Sequence, residues 1–228
     1  MTKIFFTAVT LFLAVVLTGE EYYVSFADGK WNKGDFQIVK APRNTTVGAM
    51  LQNKDHIANQ VPEGLTEQQL LSSKETYCAL VCKKKFYGDI TVSSKMSFDY
   101  QMAPLIVIAP ELGISADGKH SEFREHFEIV LYDKGINLWH HQYRNGKQQW
   151  YKLAYLACRF SAKTIYELKV SIRHTAKGIQ MMIFCDDKEF GCTLPAGFNA
   201  DGYFAGITGC EGVNRFYDFK VNQPAKKQ

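Results

Sequence analysis

The sequence predicts an all-β chain, folded as a sandwich or jelly roll. Three observations carry that expectation. Short runs of alternating apolar and polar residues follow one another at regular spacing with turn signals between them. No long stretch has the apolar period of an amphipathic helix, and there is no repeat or low-complexity linker. One run, Leu105–Ala109, is continuously apolar, as suits a strand buried on both faces.

In order, Tyr22 to Trp31 reads as a strand and a turn at Asp28-Gly29, and Asp35–Val39 as a short strand. Pro42 to Gln60 reads as polar and irregular, and Asn44-Thr45-Thr46 fits a glycosylation acceptor. Thr66 is placed to cap one helical turn reaching Leu71. Thr76–Lys83 and Ile90–Met102 alternate as strands, and Glu111–His120 reads as a loop. Trp150–Phe160 is a further strand. Thr164–His174 alternates cleanly, with Tyr166, Leu168, Val170 and Ile172 on one face. Ile179–Cys185, a hairpin turn over Asp186–Gly191, Gly202–Thr208 and Arg215–Val221 complete the chain.

The stretch Glu122–Tyr143 holds most of the functional signal. Phe127, Ile129 and Leu131 share one strand face, with His126, Glu128, Val130 and Tyr132 on the other. Asp133-Lys134-Gly135 is a turn in which Gly135 can take a positive φ. Beyond it, Ile136 and Leu138 point one way and Asn137, Trp139, His141 and Tyr143 the other. An amide, an indole, an imidazole and a phenol on one face read either as a binding face or as the cover of an apolar patch under a loop. The adjacent His140 and His141 also admit a plain reading, one in the core and one at the surface.

The 228 residues suit one domain over 20–228, behind a segment at 1–19 laid out as a secretory signal: Lys3, an apolar run Ile4–Leu17, then Thr18 and Gly19. That run is too short to span a bilayer comfortably, so an exported protein without a membrane span is expected. The net charge of +4 is spread along the chain with no basic stripe, which excludes a nucleic-acid binder. Six cysteines allow disulfides in an exported chain. Cys78 and Cys82 are too far apart on one strand to bridge. Cys185 and Cys192 flank a turn and are placed to face each other, but buried thiols are the stronger reading, along with Cys158 and Cys210. No Cys-x-x-Cys occurs and His140-His141 is the only histidine pair, so no zinc site is expected.

The C-terminal half carries a strand-turn-strand, ELKVSIRHTAKGIQMMIFCDDKEFGC, a glycine-rich strand, GYFAGITGCEG, and a final FYDFKV. This order resembles the concanavalin A-like lectin/glucanase superfamily, and within it laminin-G-like and 3-keto-disaccharide hydrolase-like domains of secreted bacterial proteins. The strand FEIVLYD is similar to their central strand as well. The resemblance implies two curved antiparallel sheets, with the concave one able to bind a polysaccharide or oligosaccharide. It also implies a structural calcium held by Asp218 on the last strand.

A sugar groove wants flat aromatics against pyranose faces and short polar groups for the hydroxyls. Trp139, Tyr143, Tyr132, Asn137, His141 and Glu128, with Arg144, supply that mix. The paired carboxylates of the superfamily's glucanases are missing from this strand, where the face reads Glu128, Val130, Tyr132. Glu111 and Glu167 are the remaining candidates for a second carboxylate. For β-elimination, His141 or Tyr143 would be the base and Asn137, Arg144 or Arg173 would neutralise a uronate. A carbohydrate-binding protein is therefore the first expectation. A polysaccharide-degrading enzyme, a lyase ahead of a hydrolase, is the second, with His141, Tyr143 and Glu128 as its candidate catalytic residues. A laminin-G-like adhesion module is the third.

Overall fold

The computed structural model describes residues 19–44, 47–72, 74–99, 102–144, 146–195, 198 and 200–224. The signal segment expected over 1–19 lies outside the described residues except for Gly19. In chain order the elements are β1 (Glu20–Ser25), β2 (Phe36–Lys40), β3 (Met50–Gln52), β4 (Ile57–Asn59), α1 (Glu67–Leu71), β5 (Cys78–Cys82), β6 (Phe86–Tyr87), β7 (Ile90–Phe98), β8 (Met102–Ile114), β9 (Ser121–Tyr132), β10 (Gly135–Arg144), β11 (Lys147–Ala157), β12 (Tyr166–Thr175), β13 (Gly178–Cys185), β14 (Lys188–Thr193), β15 (Gly202–Gly209), β16 (Asn214–Phe216) and β17 (Asp218–Gln223). They form the two sheets of a jelly-roll sandwich. No helix among the described residues is long and apolar enough to cross a membrane.

One sheet runs β14-β13-β12-β7, with β16 and β17 along the far side of β7. The other contains β11-β10-β9 together with β8, β15, β5, β2 and β6. Between the sheets lies the main core. From one side come Phe127, Ile129, Leu131, Ile136 and Leu138, and from the other Leu168, Val170, Ile172, Met181 and Phe219, all fully buried. The two-residue periods read from the sequence thus point the predicted apolar faces inward on both sheets.

The second sheet does not end in a free concave groove. Strand β8 joins β9 to β15, β15 joins β5, and β5 joins β2. Strand β2 then pairs with β9 in parallel, Val39 opposite Ser121 and Lys40 opposite Glu122. Pairing therefore passes right round a circuit of five strands. The expected purely antiparallel sheets are corrected at this one junction. The face turned away from the main core is filled by a second apolar cluster, including Val39, Tyr77, Val81, Leu105, Val107 and Phe123. This is why Leu105–Ala109 is apolar on both faces: Ile106 and Ile108 enter one cluster, Leu105, Val107 and Ala109 the other.

Several local expectations change. The stretch Pro42–Gln60 contains β3 and β4, paired Met50–Asn59 through Gln52–Ile57, because its few apolar residues are enough for a short two-stranded edge. Strand β8 extends to Ile114 against Ser121, so the loop expected from Glu111 is confined to the stretch after it. Lys188 already opens β14, leaving Asp186-Asp187 as the turn. That register sets Cys185 opposite Lys188 and Cys192 opposite Met181, so the two cysteines do not face each other. None of the six cysteines is disulfide-bonded. Asn44 is buried, with its amide nitrogen out of solvent, so the folded chain does not present it for glycosylation; Thr45 and Thr46 lie outside the described residues. Thr66 does cap α1, and Gln69 Oε1 accepts in return from the Thr66 backbone amide.

Candidate functional site on the outer face of the second sheet

The hairpin β9–β10 and its neighbour β11 build the site in rungs, because directly opposed residues in an antiparallel pair share a face. Glu128 stands opposite Trp139, and Trp139 opposite Lys152. One rung along, His126 faces His141, which faces Trp150. On the other side, Val130 faces Asn137, which faces Tyr155. A register shift between Leu138 and Trp139 on the β11 side brings Lys152 over the Trp139 ring, 5.0 Å from its centre.

A cavity of about 290 Å³ opens on this face. Glu128, Asn137, Trp139, His141 and Trp150 line it from the three strands. Ala103, Leu105 and Val130 form its apolar floor, and Arg43 and Glu211 reach it from distant segments. Arg43 follows β2, whose crossing onto β9 delivers it. Glu211 is held by an asparagine network. Asn59 donates to the carbonyls of Thr76 (2.8 Å) and Gly212 (2.9 Å). The amide of Asn214 donates to Asn59, and the amide of Cys210 donates to Asn214, each at 2.8 Å.

Glu128 is the centre of the polar wall and is 4 % exposed. Tyr77 donates its hydroxyl to Oε1 at 3.2 Å, and His126 Nε2 lies 3.3 Å from the same oxygen. Arg43 is 3.8 Å from Oε1, and its guanidinium also lies over the Tyr77 ring at 5.1 Å. His141 Nε2 is 3.2 Å from Oε2, but off the hydrogen-bond direction, so neither ring nitrogen of His141 has a well-directed partner. The rings of Phe123, His126 and His141 stack in sequence, at 4.3 and 4.8 Å.

Burial works to raise the Glu128 pKa, but the neighbouring His141 and Arg43 outweigh it and hold the carboxyl well below its usual range. Burial lowers His126 to about 4, against the pull of Glu128, so its imidazole is neutral. Burial pushes Glu211 up to about 7, with Arg43 opposing the rise. The cavity thus holds two carboxyl groups whose pKa values are pushed in opposite directions, Glu128 down and Glu211 up. Oδ1 of Asn137 and Oε2 of Glu211 are buried without hydrogen-bond partners.

The structure gathers Glu128, Asn137, Trp139 and His141 into this cavity. Tyr143 lies one step past His141 on the same strand, beneath Arg124 at 5.8 Å. Tyr132 lies on β9 beyond Val130, where burial raises its pKa to about 12. Arg144 lines a different cavity with Glu111, Glu125 and His140. Both His140 and His141 are buried, so the reading of one in the core and one at the surface does not hold. Nε2 of His140 is 2.7 Å from Glu125 Oε1, and its ring stacks on Phe127 at 4.6 Å. Arg173 and Glu167 belong to β12 in the other sheet, so neither supplies a neutraliser or second carboxylate here. The carboxylate that reaches the cavity is Glu211. It went unseen because nothing in the local period of GYFAGITGCEG marks a residue beyond the end of its strand. Trp150 was legible as a strand aromatic, whereas Arg43 carried no signal at all.

Asp218, the residue tied to the expected structural calcium, stands opposite Ser25 of β1. Its Oδ1 accepts the Lys95 amide at 2.7 Å, and burial raises its pKa. The one group of three or more potential metal-ligating side chains among the described residues lies elsewhere, at His126, Glu128 and His141.

No family model and no curated protein matches the chain. Solved structures do. It is similar to β-agarase A in complex with oligoagarose, at TM-score 0.58 and 10% identity over 92% of both chains. It is also similar to the carbohydrate recognition domain of Emp47p, at TM-score 0.56 and 11% identity, covering 89% of this chain and 95% of that one. The carbohydrate-binding module CBM66 from Bacillus subtilis aligns at TM-score 0.52 and 10% identity, over 83% of this chain and 96% of that one. Identities this low establish the architecture and leave the chemistry to the site. By fold, the chain is a concanavalin A-like jelly roll.

Proposed function

We propose that the chain is an exported carbohydrate-binding protein that recognises a polysaccharide or oligosaccharide through the cavity beside Trp139. The supporting observation is the composition of that cavity. Two indoles, Trp139 and Trp150, stand over an aliphatic floor, and Asn137, Arg43, Glu128 and Glu211 turn polar groups toward the same space. A pyranose presents an apolar face to an indole and hydroxyls to its rim, so it answers both kinds of surface. The buried, unpartnered oxygens of Asn137 and Glu211 would gain hydrogen bonds from such a ligand.

A second reading, a polysaccharide-degrading enzyme, draws on one observation. Glu128 and Glu211 line the same cavity, and their surroundings push their pKa values in opposite directions. Such a split separates an ionised carboxylate from a proton donor and suits glycoside hydrolysis. For elimination, Asn137 stands in the cavity with His141, whereas Arg144 lines a different cavity and Arg173 belongs to the other sheet. A laminin-G-like adhesion role has no particular observation in its favour.

The test is a panel of neutral and acidic polysaccharides, following retention of the protein, release of reducing ends and absorbance of unsaturated uronates. Retention without turnover is expected. Reducing-end release lost in Glu211→Gln would move the assignment to hydrolysis. No retention and no turnover across the panel would remove the carbohydrate reading.

A further inference from the structure

We propose that His126, Glu128 and His141 form a binding site for a first-row divalent transition metal, zinc in the first instance, at the inner wall of the outer-face cavity. This inference does not rest on the carbohydrate reading.

Two imidazoles and one carboxylate converge from two adjacent strands. His126 and His141 are cross-strand partners, and Glu128 is two residues along from His126 on the same face. One donor atom from each falls within 4.8 Å of the others. The carboxylate has an imidazole nitrogen at each end, His126 Nε2 by Oε1 and His141 Nε2 by Oε2. Two histidines and a carboxylate are a donor set suited to zinc and its neighbours, and three protein ligands leave positions open.

His141 supplies an independent observation. It is 6 % exposed; Nε2 lies 3.2 Å from Glu128 Oε2 off the hydrogen-bond direction, and Nδ1 has no hydrogen-bond partner. A buried imidazole left in that state is costly, and an ion drawn between it and Oε2 would relieve the cost. The other two ligands are already braced. His126 is stacked on Phe123, and Tyr77 donates to Glu128 Oε1. Such outer partners orient ligands for a metal. Arg43 lies 3.8 Å from Oε1, and Glu211 adds a second carboxyl group lining the same cavity. Glu128 and His141 line the cavity itself, so the open positions face it. A hydroxyl or carboxylate oxygen of a bound molecule would complete the shell there.

The chelator-treated chain is titrated with zinc chloride and with cobalt(II) chloride, reading calorimetry, metal content after gel filtration, thermal midpoint and the visible cobalt spectrum. One equivalent should bind, the midpoint should rise, and the cobalt spectrum should lack the intense near-ultraviolet band of thiolate ligation, which separates this site from the six cysteines. His141→Ala and Glu128→Gln should each weaken binding at least tenfold. If Glu128→Gln fails to fold because Arg43 is left unpaired, His141→Asn, which keeps the Arg43–Glu128 pair, carries the test alone. Absence of stoichiometric binding by the parent chain would overturn the proposal, as would undiminished binding by a folded His141 variant. A chain that binds zinc but no glycan keeps this site and loses the carbohydrate reading. The reverse result removes the metal site alone.

Discussion

Trp139 and Glu128 are opposed on neighbouring strands, yet they do different physical work. Glu128 is locked among Tyr77, Arg43 and two imidazoles, whereas Trp139 is only partly buried and offers its indole to the cavity. Stacking on an aromatic ring contributes about 0.5–1.5 kcal/mol beyond area burial, taking aromatic pairs as the guide. Trp139→Ala should therefore weaken glycan retention by roughly twofold to tenfold. It should keep a single cooperative melting transition, and calorimetric titration beside a melting curve checks both. Acid stability has a separate residue-scale source. Asp99 accepts from Arg215, with Nη2 2.8 Å from Oδ2, and that bond lowers its pKa from the ordinary 3.8. A depressed folded-state value contributes stability that is present above 3.8 and is lost as pH falls through the lower, folded value. Asp99→Asn should thus be less stable than the parent at neutral pH, and the gap should close in strong acid. A gap that stayed constant across a pH series of urea melts would rule this out. Both strand faces around Glu128 were legible in the sequence, because a period of two needs no tertiary information. Arg43 and Glu211 were not, since each arrives from a segment whose local pattern is silent about what it meets.

At the scale of elements, the β9–β10 hairpin depends on its turn. Gly135 has φ +151°, and a Cβ there would collide with the Leu156 carbonyl of β11. Gly135→Ala should cost more than about 1 kcal/mol, since both the backbone angle and the space oppose a side chain. Urea denaturation measures this, and a neutral effect would mean that the turn is free to rearrange. The sequence marked Gly135 as the turn residue, but the collision belongs to the third strand, which the local pattern does not mention. The same holds for the potential metal ligands. No short spacing joins His126 to His141, and the spacing rules for zinc therefore passed over them. Only the hairpin register brings the two imidazoles side by side.

The whole molecule differs from a plain sandwich in having two cores. In a sandwich with an open groove, the outer face of the concave sheet is solvated and tolerant. Here β2 closes the circuit onto β9, and both faces of β8 are dry over Ala103–Ala109. Leu105 on the outer face and Ile106 on the inner face are both fully buried. Leu105→Ala and Ile106→Ala should each cost about 2–5 kcal/mol. If Leu105→Ala stayed within about 0.5 kcal/mol, as for a surface position, the second core would not be contributing. The all-β class, the strand faces and the apolar run Leu105–Ala109 were readable in the sequence because they follow from local periodicity and turn chemistry. The closure of β2 on β9, the second core and the cavity beside Trp139 came from pairings between segments far apart in the chain. Alternation states which way a side chain points relative to its own strand. It carries no information about which strand lies opposite, and this site is assembled from that choice of neighbours.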